Sequence, residues 1–199
     1  MGDYYLTHIM NFNQKGGARK VFDITKNFTC KFNPEVDDFL HNKAWDFAKK
    51  RIASTYLVFS PVDDTIVLVG YFALSHKYFQ ADPEKLSHLS KTLLKRIDKF
   101  TTHSKELNRP VFSAPLIGQI GKNYNNGYDN LIKGKELLHI ACKTADAAMR
   151  IIGGKMICLE CENKSKLVNF YKSNGFYSFS RRQLKTDDYL LQMFCYWSE

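Results

Sequence analysis

The sequence predicts a mixed α+β fold in which strands outnumber helices. Two runs, STYLVFS (54–60) and TIVLVGYFALSH (65–76), are dense in β-branched and aromatic residues and flank Pro61-Val62-Asp63-Asp64. That pattern reads as an antiparallel hairpin. Three longer segments instead place apolar residues at helical spacing, and further strand-like runs alternate with them. A length of 199 residues suits one domain with a sizeable core, and no linker, repeat or low-complexity stretch divides it. The expectation is a single domain over 1–199 with a helical insertion at about 82–108.

Taken in order, YYLTHIM (4–10) reads as a strand and NQKGGARK (13–20) as a loop around its glycine pair. Residues 34–51 form an amphipathic helix, with Val36, Phe39, Leu40, Ala44, Phe47 and Ala48 on one side. Asn33 suits the N-cap and Pro34 the first position. Glu35, Asp37 and Asp38 suit the positive end of the helix dipole. After the hairpin, residues 82–100 read as a second helix entered by Asp82-Pro83, with an apolar stripe from Leu86 to Phe100. That stripe packs within the fold or against a second subunit of a homodimer. RPVFSAPLIGQIGKN (109–123) is a strand interrupted by Gly118 and Gly121, and the turn-rich 123–130 is a loop. KGKELLHIACKTADAAMRII (133–152) is a helix stopped by Gly153-Gly154, and KMICLECE (155–162) is a strand. A short helix follows and stops at Asn174-Gly175. FYSFSRR and YLLQMFCYW (189–197) close the chain as paired strands.

The net charge of +9, from 29 Lys and Arg against 20 Asp and Glu, favours polyanionic partners. Lys49, Lys50, Arg51, Arg181 and Arg182 are the candidate contacts. No run of about 18 uncharged apolar residues occurs, so no membrane partner is expected. The five cysteines, Cys30, Cys142, Cys158, Cys161 and Cys195, are odd in number and irregularly spaced. Cys158 and Cys161 are three apart on a strand and point to opposite faces, which excludes a shared metal. Reduced thiols in a cytoplasmic protein fit this pattern.

Three pieces carry chemistry. Gly118 and Gly121 leave strand backbone open to close approach. Lys133-Gly134-Lys135 opens a helix, where unpaired amides and the dipole make a diphosphate cradle. Tyr171, in the last turn of the helix before Asn174-Gly175, places a phenol at the end of a strand–helix unit.

Together, PLIGQIGKN, GKELLHIA and GGKMICLECENKSKLVNFYKSNGF resemble the CoA-binding core of the GCN5-related N-acetyltransferase (GNAT) family. The resemblance implies a central, mostly antiparallel twisted sheet with a splayed parallel strand pair and helices on both faces. It implies acetyl-CoA as co-substrate, with the pantetheine arm along Ile120-Gly121-Lys122 and the diphosphate at Lys133, Gly134 and Lys135. Asn163 joins these as a cofactor-binding residue. The family pattern Arg/Gln-x-x-Gly-x-Gly/Ala falls on LIKGKE (131–136) and keeps Gly134; Leu131 and Glu136 depart from it. A carboxylate at Glu136 repels phosphate unless it points away. Tyr171 in FYKSNGF matches the helix tyrosine that protonates the leaving thiolate. Glu160 and Glu162 share a strand face beside the cofactor, and Glu160 is the candidate general base. An α-amine with a pKa of about 8 is already partly neutral, so a strong base is not required.

The N-terminal half resembles the acetyltransferase toxins of bacterial toxin–antitoxin modules. Phe28 with Cys30, Asp38-Phe39-Leu40, Thr55-Tyr56 and GYFALS (70–75) carry that likeness. It implies the amino group of an aminoacyl-tRNA as acceptor and a separate antitoxin as partner. The alternatives are a degenerate GNAT-fold module that binds nucleic acid or protein, or an acetyltransferase for a small-molecule or protein amine.

Overall fold

The computed structural model describes residues 3–185 and 188–198. Its eight-stranded sheet has the order β1-β2-β3-β5-β6-β8-β7, with β4 on β5. These strands are β1 (Tyr5–His8), β2 (Ser54–Val62), β3 (Thr65–Gln80), β4 (Thr102–Ser104), β5 (Arg109–Lys122), β6 (Met156–Glu162), β7 (Tyr177–Gln183) and β8 (Tyr189–Tyr196). β2 and β3 form the expected hairpin, with Val62 opposite Thr65 and Asp63 at φ 50° in the turn. β5 and β6 pair in parallel over only two positions, Leu116 with Cys158 and Ile117 with Leu159. The other pairs with a described register are antiparallel. The mixed fold class, with a mostly antiparallel sheet and one splayed parallel pair, is therefore the one expected.

The helices are α1 (Gly17–Thr25), α2 (Pro34–Asp38), α3 (Ala44–Lys49), α4 (Pro83–Leu86), α5 (Lys91–Asp98), α6 (Gly134–Ile152) and α7 (Ser165–Ser173). α6 and α7 match the sequence reading closely. Gly153 and Gly154, at φ 87° and 116°, stop α6 as expected.

Four elements differ. β1 ends at His8, whose Nδ1 accepts from the Met10 amide and starts a 3-10 turn over Ile9–Phe12. The expected loop at 13–20 contains the start of α1. Gly17 is there for contact, since a Cβ would lie 2.0 Å from the Phe12 carbonyl oxygen. The single helix expected over 82–100 breaks into α4 and α5, because Ser90 caps α5 by accepting from the Leu93 amide. The helix expected over 34–51 is continuous to Lys49 but passes through one π turn at Phe39–Lys43. Asn33 caps it as expected, its Oδ1 accepting from Glu35 at 3.0 Å.

The chain divides into two compact units, 1–75 with 118–141, and 76–117 with 142–199. In the first, Val36, Phe39, Leu40 and Phe28 pack with Leu57 and Tyr71. Tyr71 is fully buried and donates its hydroxyl to the Val36 carbonyl at 2.6 Å, fixing α2 on the sheet. In the second, Phe79, Phe112, Phe179 and Phe194 make a ring cluster with centroids 5.3–5.8 Å apart. Truncating such a buried ring costs about 3–5 kcal/mol. Leu86, Leu89, Leu93 and Phe100 pack on this cluster, so the apolar stripe of 82–100 is spent within its own unit.

Candidate active site

In the first unit the helix start is organised by its own side chains. Glu136 Oε2 accepts from the Lys133 amide at 2.8 Å and from the Tyr4 hydroxyl at 3.3 Å. This is the reciprocal half of a capping box, a glutamate three residues into the helix reaching back to the N-cap amide. The Lys133 amide holds the Glu136 carboxyl below the usual carboxylate range, helped by the Tyr4 hydroxyl. Glu136 thus turns back onto the chain N-terminal to its helix and consumes one amide. The first-turn amides of Gly134 and Lys135 remain, because an α-helix offers them no carbonyl.

Lys122 serves the same loop. Its ammonium donates to the carbonyls of Asp129 at 2.7 Å and Ile132 at 3.2 Å, stapling the turn that delivers α6. Asn126 and Gly127, at φ 49° and 72°, reverse the chain inside that turn. Lys133 and Lys135 are exposed and Gly134 is half-buried.

The two strand glycines differ. A Cβ on Gly121 would lie 2.5 Å from Val36 Cγ1, so its smallness seats α2. A Cβ on Gly118 would meet nothing nearer than the Ala73 carbonyl oxygen at 3.9 Å. Gly118 is exposed and follows directly on Ile117, the last β5 residue paired with β6. The β5 edge that faces β6 is thus unpaired from Gly118 onward, a stretch that includes Ile120, Gly121 and Lys122.

In the second unit Tyr171 is 7% exposed, with its ring against Phe170 and Phe176 at centroid distances of 5.2 and 5.9 Å. Its carbonyl accepts from the Phe176 amide at 3.1 Å, so the NGF turn holds the last helical turn in place. Among the described residues its hydroxyl has no hydrogen-bond partner. Burial pushes the phenol well above its ordinary pKa, and the neighbouring Cys161 and Cys142 add to this. The group is therefore a neutral donor throughout the physiological range.

Glu160 is not a free carboxylate. Its side chain is 9% exposed and takes Lys77 at 3.2 Å and Arg182 at 2.8 Å, while Gln192 Nε2 donates to it at 2.8 Å. Glu162 pairs with Lys164 at 2.8 Å. Asn163 donates to the Tyr189 hydroxyl at 2.7 Å, and the Arg181 guanidinium lies 4.5 Å from the Tyr189 ring centre. Lys77, Gln192 and Tyr189 carry no signal in the sequence, since each meets its partner only once the sheet is assembled. Cys158 and Cys161 are both buried, and Cys161 Sγ lies 3.8 Å from Met193 Sδ.

Two depressions occur elsewhere. One of about 470 Å³ in the second unit is lined by His76, Phe100, Pro115 and Gly153 among others. One of about 210 Å³ in the first is lined by Val21, Phe22, His41 and Trp45 among others. None of the residues picked out from sequence for catalysis or cofactor binding lines either.

No protein-family model and no curated protein matches the chain. Solved structures do. AtaT complexed with acetyl-methionyl-tRNAfMet aligns over 95% of this chain and 94% of that chain, with a TM-score of 0.60 and 18% identity. A tyrosine-to-phenylalanine mutant of KacT aligns over 94% of this chain and 93% of that one, with a TM-score of 0.61 and 18% identity. AtaTR bound with AcCoA aligns over 96% and 93%, with a TM-score of 0.53 and 15% identity. At these identities the likeness establishes the fold, and it is the GNAT-like fold that the sequence resemblance implies.

Proposed function

We propose that this protein is an acetyl-CoA-dependent N-acetyltransferase acting on the amino group of an aminoacyl-tRNA. The observation that carries the reading is Tyr171, a buried ring whose hydroxyl has no partner among the described residues and whose pKa keeps it protonated. The ring is buried while its hydroxyl oxygen is not among the buried unpartnered atoms, so the phenol tip stays open to a substrate. The amides of Gly134 and Lys135, flanked by exposed lysines, suit a diphosphate, and the open backbone from Gly118 suits an extended arm. AtaTR bound with AcCoA and AtaT with acetyl-methionyl-tRNAfMet share the fold, which favours this chemistry over other uses of it.

Acetyl-CoA supplies the activated acyl group. The amine nitrogen forms the new N–C bond, the C–S bond breaks, and Tyr171 donates its proton to the departing sulfur. Backbone amides of β5 polarise the carbonyl, as fixed donors do in acyl transfer. Glu160 is held by two cations and an amide, so we assign it a positioning role for Lys77 and Arg182. With an ordinary pKa of about 8 the amine is partly neutral before attack; after the N–C bond forms its extra proton passes to water, and water returns one to Tyr171. The tyrosine-to-phenylalanine mutant of AtaT was solved bound to the C-terminus of the antitoxin AtaR, so a separate antitoxin is the partner class proposed for this chain.

Incubation with acetyl-CoA and charged tRNA tests the reading. It expects free thiol and N-acetyl-aminoacyl-tRNA in equal amounts. Thiol release with a free amine or protein lysine, and none with charged tRNA, would move the acceptor to those classes.

A further inference from the structure

Loop 26–33, between α1 and α2, carries an unusual side chain. Phe32 is 67% exposed, yet it is not loosely placed. Its ring meets Tyr124 edge-on, with centroids 5.1 Å apart and planes at 89°. One ammonium, that of Lys31, lies 5.2 Å from the Phe32 ring centre and 4.9 Å from that of Tyr124. Lys122 lies 5.6 Å from the Tyr124 ring while its donors hold the following turn. The backbone beneath is tied down. The Tyr124 amide donates to the Thr29 carbonyl at 2.8 Å, and the Thr29 amide donates to Asn123 Oδ1 at 3.2 Å. Asn123 is itself buried and donates to the Leu68 carbonyl at 2.8 Å.

The result is a large apolar ring, displayed to solvent on a braced loop, with the Lys31 ammonium over it and Lys122 over the neighbouring Tyr124 ring. A ring needed for the core would be turned inward, and a ring needed only to hold Lys31 would not require the bracing from Asn123. Exposed aromatic faces beside lysines fit an unpaired base with its phosphate, because every base offers a π-face and the phosphate meets the cations. A protein surface or lipid would call for a wider apolar patch than one ring. The net charge of +9 agrees with a polyanion.

We propose that Phe32 and Tyr124, with the Lys31 ammonium close over both rings, form a stacking platform for an unpaired base at the single-stranded 3′ end of the nucleic-acid acceptor. The proposal rests on the aminoacyl-tRNA reading and names where its terminal base is held. The adenine of acetyl-CoA offers the same π-face, so the test separates the two sources.

The probe is the labelled tetraribonucleotide 5′-ACCA-3′, read by fluorescence anisotropy, alongside calorimetry with acetyl-CoA. Phe32→Ala is expected to weaken the oligonucleotide about tenfold, within the range for loss of one stacked base, and Phe32→Trp to preserve it. Removing the 3′ base from the probe should cost the wild type a similar factor and cost Phe32→Ala nothing further. Acetyl-CoA affinity should be the same in all three proteins. Unchanged oligonucleotide affinity in Phe32→Ala overturns the platform. A loss confined to acetyl-CoA overturns it too, in favour of the cofactor's adenine. Oligonucleotide binding with these signatures in a protein that fails to bind acetyl-CoA would keep the platform and reject the transferase reading instead.

Discussion

The helix start at 133–136 and the helix end at Tyr171 were both picked out from sequence, yet they are built in opposite ways. At the helix start the glutamate and the lysine that holds the preceding loop are already engaged, while Lys133 and Lys135 stay exposed. Glu136 caps the Lys133 amide, and Lys122 holds the carbonyls of Asp129 and Ile132. At the helix end the polar group is left over, a phenol with no described partner in an aromatic setting. The contrast separates architecture from chemistry. Where side chains satisfy one another, substitution should first disturb stability or binding. Where a buried ring keeps its polar tip unengaged and open, substitution should disturb the reaction and little else.

The largest effect expected from this contrast falls on Tyr171. Tyr171→Phe keeps both ring contacts and removes only the hydroxyl. Steady-state turnover should fall by about 10²–10⁴, the usual contribution of one positioned acid. Acetyl-CoA affinity and thermal midpoint should stay at wild-type values. A variant that turns over normally would show that water protonates the sulfur.

Gly134→Asp sharpens the other side. A carboxylate among the amides meant for a diphosphate should weaken acetyl-CoA about tenfold, given about 1–4 kcal/mol between charges 4 Å apart near a surface. The same residue type suits a helix N-terminus, so the thermal midpoint should hold or rise slightly. Calorimetry and a melting curve on one sample read both.

Glu136→Gln is smaller and two-sided. Without the carboxylate charge, acetyl-CoA affinity should improve a few-fold. The Glu136 carboxyl is depressed in the fold, so its stabilisation is fully present above the unfolded glutamate value of about 4.3. It is lost as pH falls through the lower folded value. The acid limb of a melting-temperature profile should therefore be shallower in the variant. Identical limbs would mean that the cap contributes nothing.

Smallest of all is Glu160→Gln. An amide can still accept from Arg182 and Lys77, so turnover should stay within about twofold, and the pH profile should still follow the amine at about 8. A fall comparable to that of Tyr171→Phe would restore Glu160 as a base.

Much of this was legible in the sequence, for physical reasons that differ by element. The hairpin of β2 and β3 and the long α6 announce themselves because their periodicity and their breakers agree. Tyr171 was legible because the NGF turn fixes which end of α7 it occupies. α1 was not, since Gly16 and Gly17 look like loop chemistry, and only the close approach to Phe12 explains Gly17. The engagements of Lys122 and Glu160 were also hidden. Lys122 folds onto carbonyls seven and ten residues later, and Glu160 meets Lys77, Arg182 and Gln192 from three other strands. Sequence spacing carries no record of such contacts.

Direct titration of the wild-type protein with acetyl-CoA in a calorimeter tests the central claim most simply. The account predicts saturable one-site binding with a dissociation constant below about 1 mM, weakened by Gly134→Asp and untouched by Tyr171→Phe. No saturable heat up to about 1 mM would contradict the transferase reading and leave a GNAT-like fold used for binding alone.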